Sequence, residues 1–420
     1  MQRTLAAVLT AGACASSLQA QTGSTTSVGP IISLDEALAA AGASSPAVEA
    51  ARSGISAAKA QRTVAGLRPN PSLDTMSENV AGTGIYRGLR SSETTVGLSL
   101  PLELGGKRSA RVAVANAQLD RASLDGTIAV ADLRLRVTQA YNEAVAAQRR
   151  AMNAREQVGI AAEVLRAARV RVSTGRASPL EERRADVARL NAEGAVERAD
   201  RSAKVAGENL GRLIGRAAPA LDATWFATIG ITGPVVSVLS ENTLAAAAAS
   251  ADLATATAQV RLARSQRIPD LTISAAARRL EASNDTAAVF GLSVPLPLFN
   301  NGRASRDMAA AQRQQADAQR RLALLDAEQA IASARAEAAN AATTARNANG
   351  PTLAAAQEAA RIARIGYREG KFGQLDLLEA ERTLAETRAT GIDALASYHD
   401  AQARLERLTA PAPTDAKDVR

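Results

Sequence analysis

Aromatic residues are nearly missing from this chain: one tryptophan, four tyrosines and four phenylalanines in 420 residues. Aromatic side chains bury the most area each, so a thick globular core is excluded by supply. Much of the 46% hydrophobic fraction is instead alanine, the best helix former, which lets helix backbones approach closely. The composition predicts an extended helical architecture. Cysteine occurs once, at Cys14, and histidine once, at His399. Multi-cysteine metal sites and structural disulfides are therefore excluded, and a lone histidine makes neither a metal centre nor a triad. Dense basic blocks are lacking too. The formal charge of +8 is spread along helical stretches without interleaved aromatics, which argues against a nucleic-acid surface.

The first residues do carry a signal. Arg3, an apolar run from Leu5 and small residues up to Ala20 read as a secretory peptide over 1–20, cleaved after Ala20. The competing reading makes Cys14 an acylated first residue, since "AGAC" places small residues before it; Ala11 stands where such signals place leucine. Beyond this segment no run of about 18 apolar residues exists. An exported chain without such a run crosses a membrane only as a closed barrel.

Two halves repeat one another. "VGLSLPLELGGKR" from Val96 returns as "FGLSVPLPLFNNGR" from Phe290, and "ARVRVSTGRASPLEERRADVARL" is matched by "ARIGYREGKFGQLDLLEAERTL". The offset is about 195 residues throughout, the mark of an internal duplication. The expected division is a first repeat over 21–216, a connector over 217–239, a second repeat over 240–409 and a tail over 410–420.

Each half contains a long heptad seam. Apolar residues in 3,4 alternation run from Val130 and Leu133 to Leu165, Ala168 and Val172, predicting a helix from about Lys107 to Val172. In the second half they run from Leu324 and Ala327 to Ala348, Thr352, Ala355, Ala359 and Ile362, with a kink expected at Gly350–Pro351. Strands are scarce and paired. Alternation predicts them near 72–80, at 93–102, from Leu271 to Ala275 and at 288–296, with "AGTGIYRGLRSS" and "RLEASNDT" as hairpin loops. Each run is about as long as a tilted membrane strand. Four strands cannot close a barrel in lipid, but three copies supplying about twelve can. A small soluble sheet is the alternative.

With the duplication, the strand pairs and the two glycine-bearing hairpins in hand, the chain resembles the TolC-type outer membrane efflux proteins. "PLELGGKRSAR" and "STGRASPLEERRADVARL" bring it closest to their CzcC-like, heavy-metal branch. The resemblance implies a mainly α fold with a β-barrel part: a trimeric twelve-stranded barrel in the outer membrane, continued by a long periplasmic helical barrel. It implies a non-enzymatic channel without cofactors, working with a periplasmic adaptor and an inner membrane RND-type pump. It also implies that the hairpin tips, Ser173, Thr174, Gly175, Arg176, Ala177 and Ser178 with Glu369, Gly370, Lys371, Phe372 and Gly373, dock the adaptor. Phe372 is expected to be exposed there.

By the same resemblance Asp376 and Glu379 fall at the pore gate, and Glu181 and Arg184 at the matching positions of the first half. Arg184 departs from the acidic pattern and is expected to latch onto Asp376 or Glu379 of a neighbouring helix. A carboxylate ring favours cations; ordinary solvated charges near a helix start are the competing reading. The strand–helix joints are Pro101, Gly105 and Gly106 in one half and Pro295, Pro297 and Gly302 in the other. "ELGGKRS" is no phosphate loop, because Pro101 and Arg108 occupy its required glycine and hydroxyl positions. Asp393 and Asp400 read as solvated helix charges. Multidrug efflux and type I secretion are the alternatives within the channel class; a periplasmic coiled-coil adaptor is the alternative outside it.

Overall fold

The computed structural model describes residues 31–217, 220–230 and 239–413. Cys14 and the expected signal peptide lie outside the described residues, as do 414–420 of the expected tail and 218–219 and 231–238 of the expected connector.

The element order repeats as the sequence does. Helices α1 (Leu34–Ser44) and α2 (Pro46–Ala65) lead to strands β1 (Ser72–Glu78) and β2 (Glu93–Leu102), then to the long helices α3 (Lys107–Ser173) and α4 (Pro179–Ile214). Helix α5 (Leu244–Ser265) leads to β3 (Leu271–Leu280) and β4 (Asp285–Ser293), then to α6 (Arg303–Asn349), α7 (Pro351–Arg368) and α8 (Gln374–Leu408). With 67 residues, α3 is about 100 Å long. Its seam is buried at Leu133, Val137, Ala144, Ala147, Ala151, Ala161, Leu165 and Ala168, while Val130 at its start is exposed. Small residues in that seam let α3 pack closely on its neighbours, as alanine-rich heptads require.

The second seam differs from expectation beyond Gly350. Ala327, Ile331, Ala334, Ala338, Ala345 and Ala348 are buried as the heptad predicts. Thr352, Ala355, Ala359 and Ile362 are exposed, and Ala356, Ala360, Ala363 and Tyr367 take their places inside. The cause is a break rather than a kink. Gly350 adopts φ −104° and ψ −107°, outside the helical region, and Pro351 has no N–H to continue the ladder. The new helix starts one residue out of phase. Asn349 fastens the break to α8, donating to the Gly391 carbonyl at 2.9 Å.

The thickest packing lies midway along the helices, where the scarce aromatics gather. Tyr141, Phe226 and Tyr398 are buried together with Val137 and Leu210. The Tyr141 hydroxyl sits between the carbonyls of Ile32 (2.7 Å) and Asp222 (3.0 Å), tying the segment before α1 and the connector to α3. His399 stacks edge-on to Trp225 with centroids 4.5 Å apart and bonds the Phe226 carbonyl through Nε2 at 2.9 Å. Burial pushes its pKa down, against the opposing pull of that carbonyl. One expectation fails here. Asp400 is no solvated charge: it accepts from Asn142 at 2.9 Å, and burial raises its pKa. Asp393 is exposed as expected, in a surface ion pair with Arg150 at 2.7 Å.

The four strands form one antiparallel sheet in the order β1-β2-β3-β4. Strand β4 sits three residues earlier than its alternation suggests. The register with β3 ends at Thr272 opposite Ser293; Leu271 pairs only with Leu102 of β2, and Pro295 and Pro297 have no N–H to pair. Those prolines lie in the irregular segment before Gly302. The second loop is correspondingly tight. Arg279, Leu280, Asp285 and Thr286 belong to strands, and the turn is 281–284 with Asn284 at φ 60°.

At the first joint β2 runs one residue past Pro101, pairing only with β3, because β1 reaches no further than Ser72 opposite Ser99. With one side of β2 open, a missing N–H leaves no ladder partner stranded. Gly105 then turns at φ 68°, where a Cβ would stand 2.7 Å from Ile268. Lys107 pairs with Asp270 at 2.7 Å, and Arg108 donates to the Gly66 carbonyl at 2.6 Å. The long helix is thereby clamped to both neighbouring segments where it leaves the sheet.

Candidate functional site

Two regions of the fold carry the candidate functional residues: the paired hairpin tips and the two faces of the sheet. At the tips, Gly175 (φ 71°) and Gly370 (φ 73°) take the left-handed conformation that ends α3 and α7. Pro179 at the first position of α4 and the Ser178 side chain, accepting from the Leu180 N–H at 3.3 Å, start the return helix. Asp376 does the same for α8, accepting from the Gly373 N–H at 2.9 Å.

The tips are joined side by side. Gln374 donates to the Glu181 carbonyl at 2.6 Å. Arg171 lies over the Tyr367 ring, 4.7 Å from its centroid, and donates to the Tyr367 carbonyl at 3.3 Å. Its Nε is 3.9 Å from Glu181 Oε2, an ion pair without a hydrogen bond. Tyr367 is buried and its pKa is raised by that burial, against the lowering effect of Arg171. Tyr367 Oη, Gln374 Oε1, Glu181 Oε2 and Arg171 Nε are all buried without hydrogen-bond partners among the described residues. A half-satisfied polar junction is held more weakly than a complete one. Just behind it Glu381, 4% exposed, receives both arms of Arg364.

Of the sequence-predicted gate residues, the fold therefore brings Glu181 to the start of α8 but turns it toward Arg171. Asp376, Glu379 and Arg184 are exposed. Arg184 makes no ion pair within the described residues of the chain, so it meets neither Asp376 nor Glu379 of its own copy. Phe372 is exposed as expected, at 41%. Its ring folds onto Gly366, where a Cβ would be 2.1 Å from the ring. Sequence reasoning missed Arg171, Tyr367, Gln374 and the Arg364–Glu381 pair. Tyr367 had a usable signal: a tyrosine beside a hairpin glycine in a chain nearly without aromatics.

The sheet has two unlike faces. Leu73, Val96, Leu98, Leu100, Ile273, Ala275, Phe290 and Leu292 share one face by register, and Phe290 and Leu292 are 81% and 70% exposed. Asp74, Glu78, Glu93, Thr95, Ser99, Ser274 and Arg278 share the other. An apolar outward face and a polar inner face are the pattern of a membrane β-barrel wall. Both edges, β1 and β4, are unpaired among the described residues of the single chain.

A sequence model of the outer membrane efflux protein family matches residues 37–216 and 235–410. The chain belongs to that family. It is 30% identical over 386 residues, 90% of each chain, to the cobalt-zinc-cadmium resistance protein CzcC of Cupriavidus metallidurans. It is 32% identical to the nickel-cobalt-cadmium resistance protein NccC of Alcaligenes xylosoxydans xylosoxydans, over 60% of this chain and 57% of that one. Its fold is similar to that of the Neisseria gonorrhoeae MtrE outer membrane channel, with a TM-score of 0.76 at 21% identity, covering 90% of this chain and 89% of the other. This outer membrane efflux protein thus has the fold of a channel chain: four strands of barrel wall continued by long helices. The duplication read from the sequence is the family's own two-part match.

Proposed function

We propose that three copies close a twelve-stranded barrel and form the passive outer membrane channel of a tripartite efflux system, exporting heavy-metal cations such as cobalt, zinc or cadmium. The observation that carries it is the sheet, which has a lipid-type face, a polar face and two unpaired edges. Each unpaired group in lipid costs several kcal/mol, so the edges demand partner copies. The similarity to CzcC along nearly the whole chain supports the choice of cargo. The division into repeats over 21–216 and 240–409 around a connector is part of this reading, and the family match in two segments supports it.

In this reading the paired tips form the periplasmic entrance. Asp376 and Glu379 narrow it, and Arg184, without an ion pair among the described residues of its own chain, meets acids of the next copy. Residues 173–178 and 369–373 dock the adaptor, which couples the channel to an inner membrane RND pump. A groove beside them is lined by Arg166, Arg171, Arg176 and Arg368, a surface suited to an acidic partner. The protein performs no chemistry.

Deletion of the gene should lower tolerance to cobalt, zinc and cadmium while leaving drug tolerance unchanged. Complementation with Asp376→Asn plus Glu379→Gln should restore assembly with reduced cation preference in bilayer recordings. Lost drug tolerance with unchanged metal tolerance would favour the multidrug reading instead.

A further inference from the structure

The polar face of the sheet concentrates its charge at the end remote from the helices. Glu78 closes β1 directly opposite Glu93, which opens β2, and Arg278 stands beside them on β3 opposite Thr95. Arg278 Nη1 is 3.0 Å from Glu93 Oε2, its Nη2 is 3.2 Å from Glu78 Oε2, and its Nε donates to Thr95 Oγ1 at 3.0 Å. The three charged side chains are between 27% and 35% exposed, so water reaches them. If the polar face lines the pore, this cluster sits at its outer mouth. Two carboxylates thus converge on one point, and a guanidinium occupies it.

Converging carboxylate oxygens are what a divalent cation takes as ligands. An exporting pore must attract its cation yet let it go, and a tight site at the exit would hold it. We propose that Arg278 sets the charge of the outer mouth: by filling the point between Glu78 and Glu93 it leaves the mouth net acidic but unable to trap a divalent cation. A fixed internal cation stands where an exported one would lodge. This assignment rests on the channel reading above and names a selectivity residue within it.

The test uses the purified full-length protein in planar bilayers under a potassium chloride gradient, with cobalt chloride as the probe. Arg278→Gln should shift the reversal potential toward stronger potassium selectivity and lower the half-blocking cobalt concentration at least about tenfold. Arg278→Lys should retain wild-type behaviour, and Glu93→Gln added to Arg278→Gln should relieve the block. A residue that merely staples three strands would move neither readout. Wild-type selectivity and cobalt sensitivity in conducting Arg278→Gln channels would overturn the assignment. Should that variant not insert, Glu78→Gln plus Glu93→Gln in the wild-type background should weaken cation preference, and unchanged preference would overturn it equally. A wild-type protein that inserts without conducting would instead overturn the channel reading, and this assignment with it.

Discussion

Phe290→Arg should prevent the protein from assembling in the outer membrane, whereas Ser274→Arg, its register partner's neighbour in sequence but on the opposite face, should assemble and alter conductance. Phe290 stands opposite Ala275, which stands opposite Leu98 and so Leu73. This row crosses the middle of the sheet, where Arg facing lipid costs about 2–4 kcal/mol. In a closed ring of three copies the cost recurs in each, reaching about 6–12 kcal/mol per assembly. Ser274 lies beside Gly291, whose missing side chain leaves space above it, so an arginine there projects into water. Heat-resistant oligomer bands in outer membrane fractions give the readout. Equal assembly of the two variants would contradict the assignment of faces.

The second large effect is expected at the tip. Arg364→Ala should destabilise the α7–α8 hairpin by about 2–3 kcal/mol, because it leaves the buried Glu381 carboxylate without its bidentate partner. Glu381→Leu should cost much less, since Arg364 is 44% exposed and can turn to water. That asymmetry distinguishes a buried charge held in place from an ordinary surface pair. Hydrogen exchange in α7 and α8 reports it: Arg364→Ala should speed exchange roughly 30- to 160-fold, in line with that energy. Similar exchange in both variants would contradict the account.

What could be read from the sequence followed from how local its cause was. Strand β2 and helix α3 matched expectation within a residue, because alternation and a long heptad seam are local patterns with a single solution. The phase of α7 could not be read that way. "NANGP" announces a break, but whether the following helix restarts in phase depends on how Gly350 packs against α8. Strand β4 reads late from the sequence because Val294 and Leu296 keep the alternation after its pairing with β3 has ended. The tip junction was hidden for another reason. Arg171 and Glu181 meet Tyr367 and Gln374 across nearly two hundred residues, and no spacing within either half records that meeting. Glu381 likewise reads as an exposed helix charge until α7 closes over it. The position of Glu181 is legible from its hairpin, but its orientation toward Arg171 is set by the neighbouring hairpin.

Closure by three copies is tested most directly by the mass of the particle extracted in mild detergent. Native mass spectrometry should give one species of three chains, released only with detergent. A single-chain species released by osmotic shock without detergent would contradict the account.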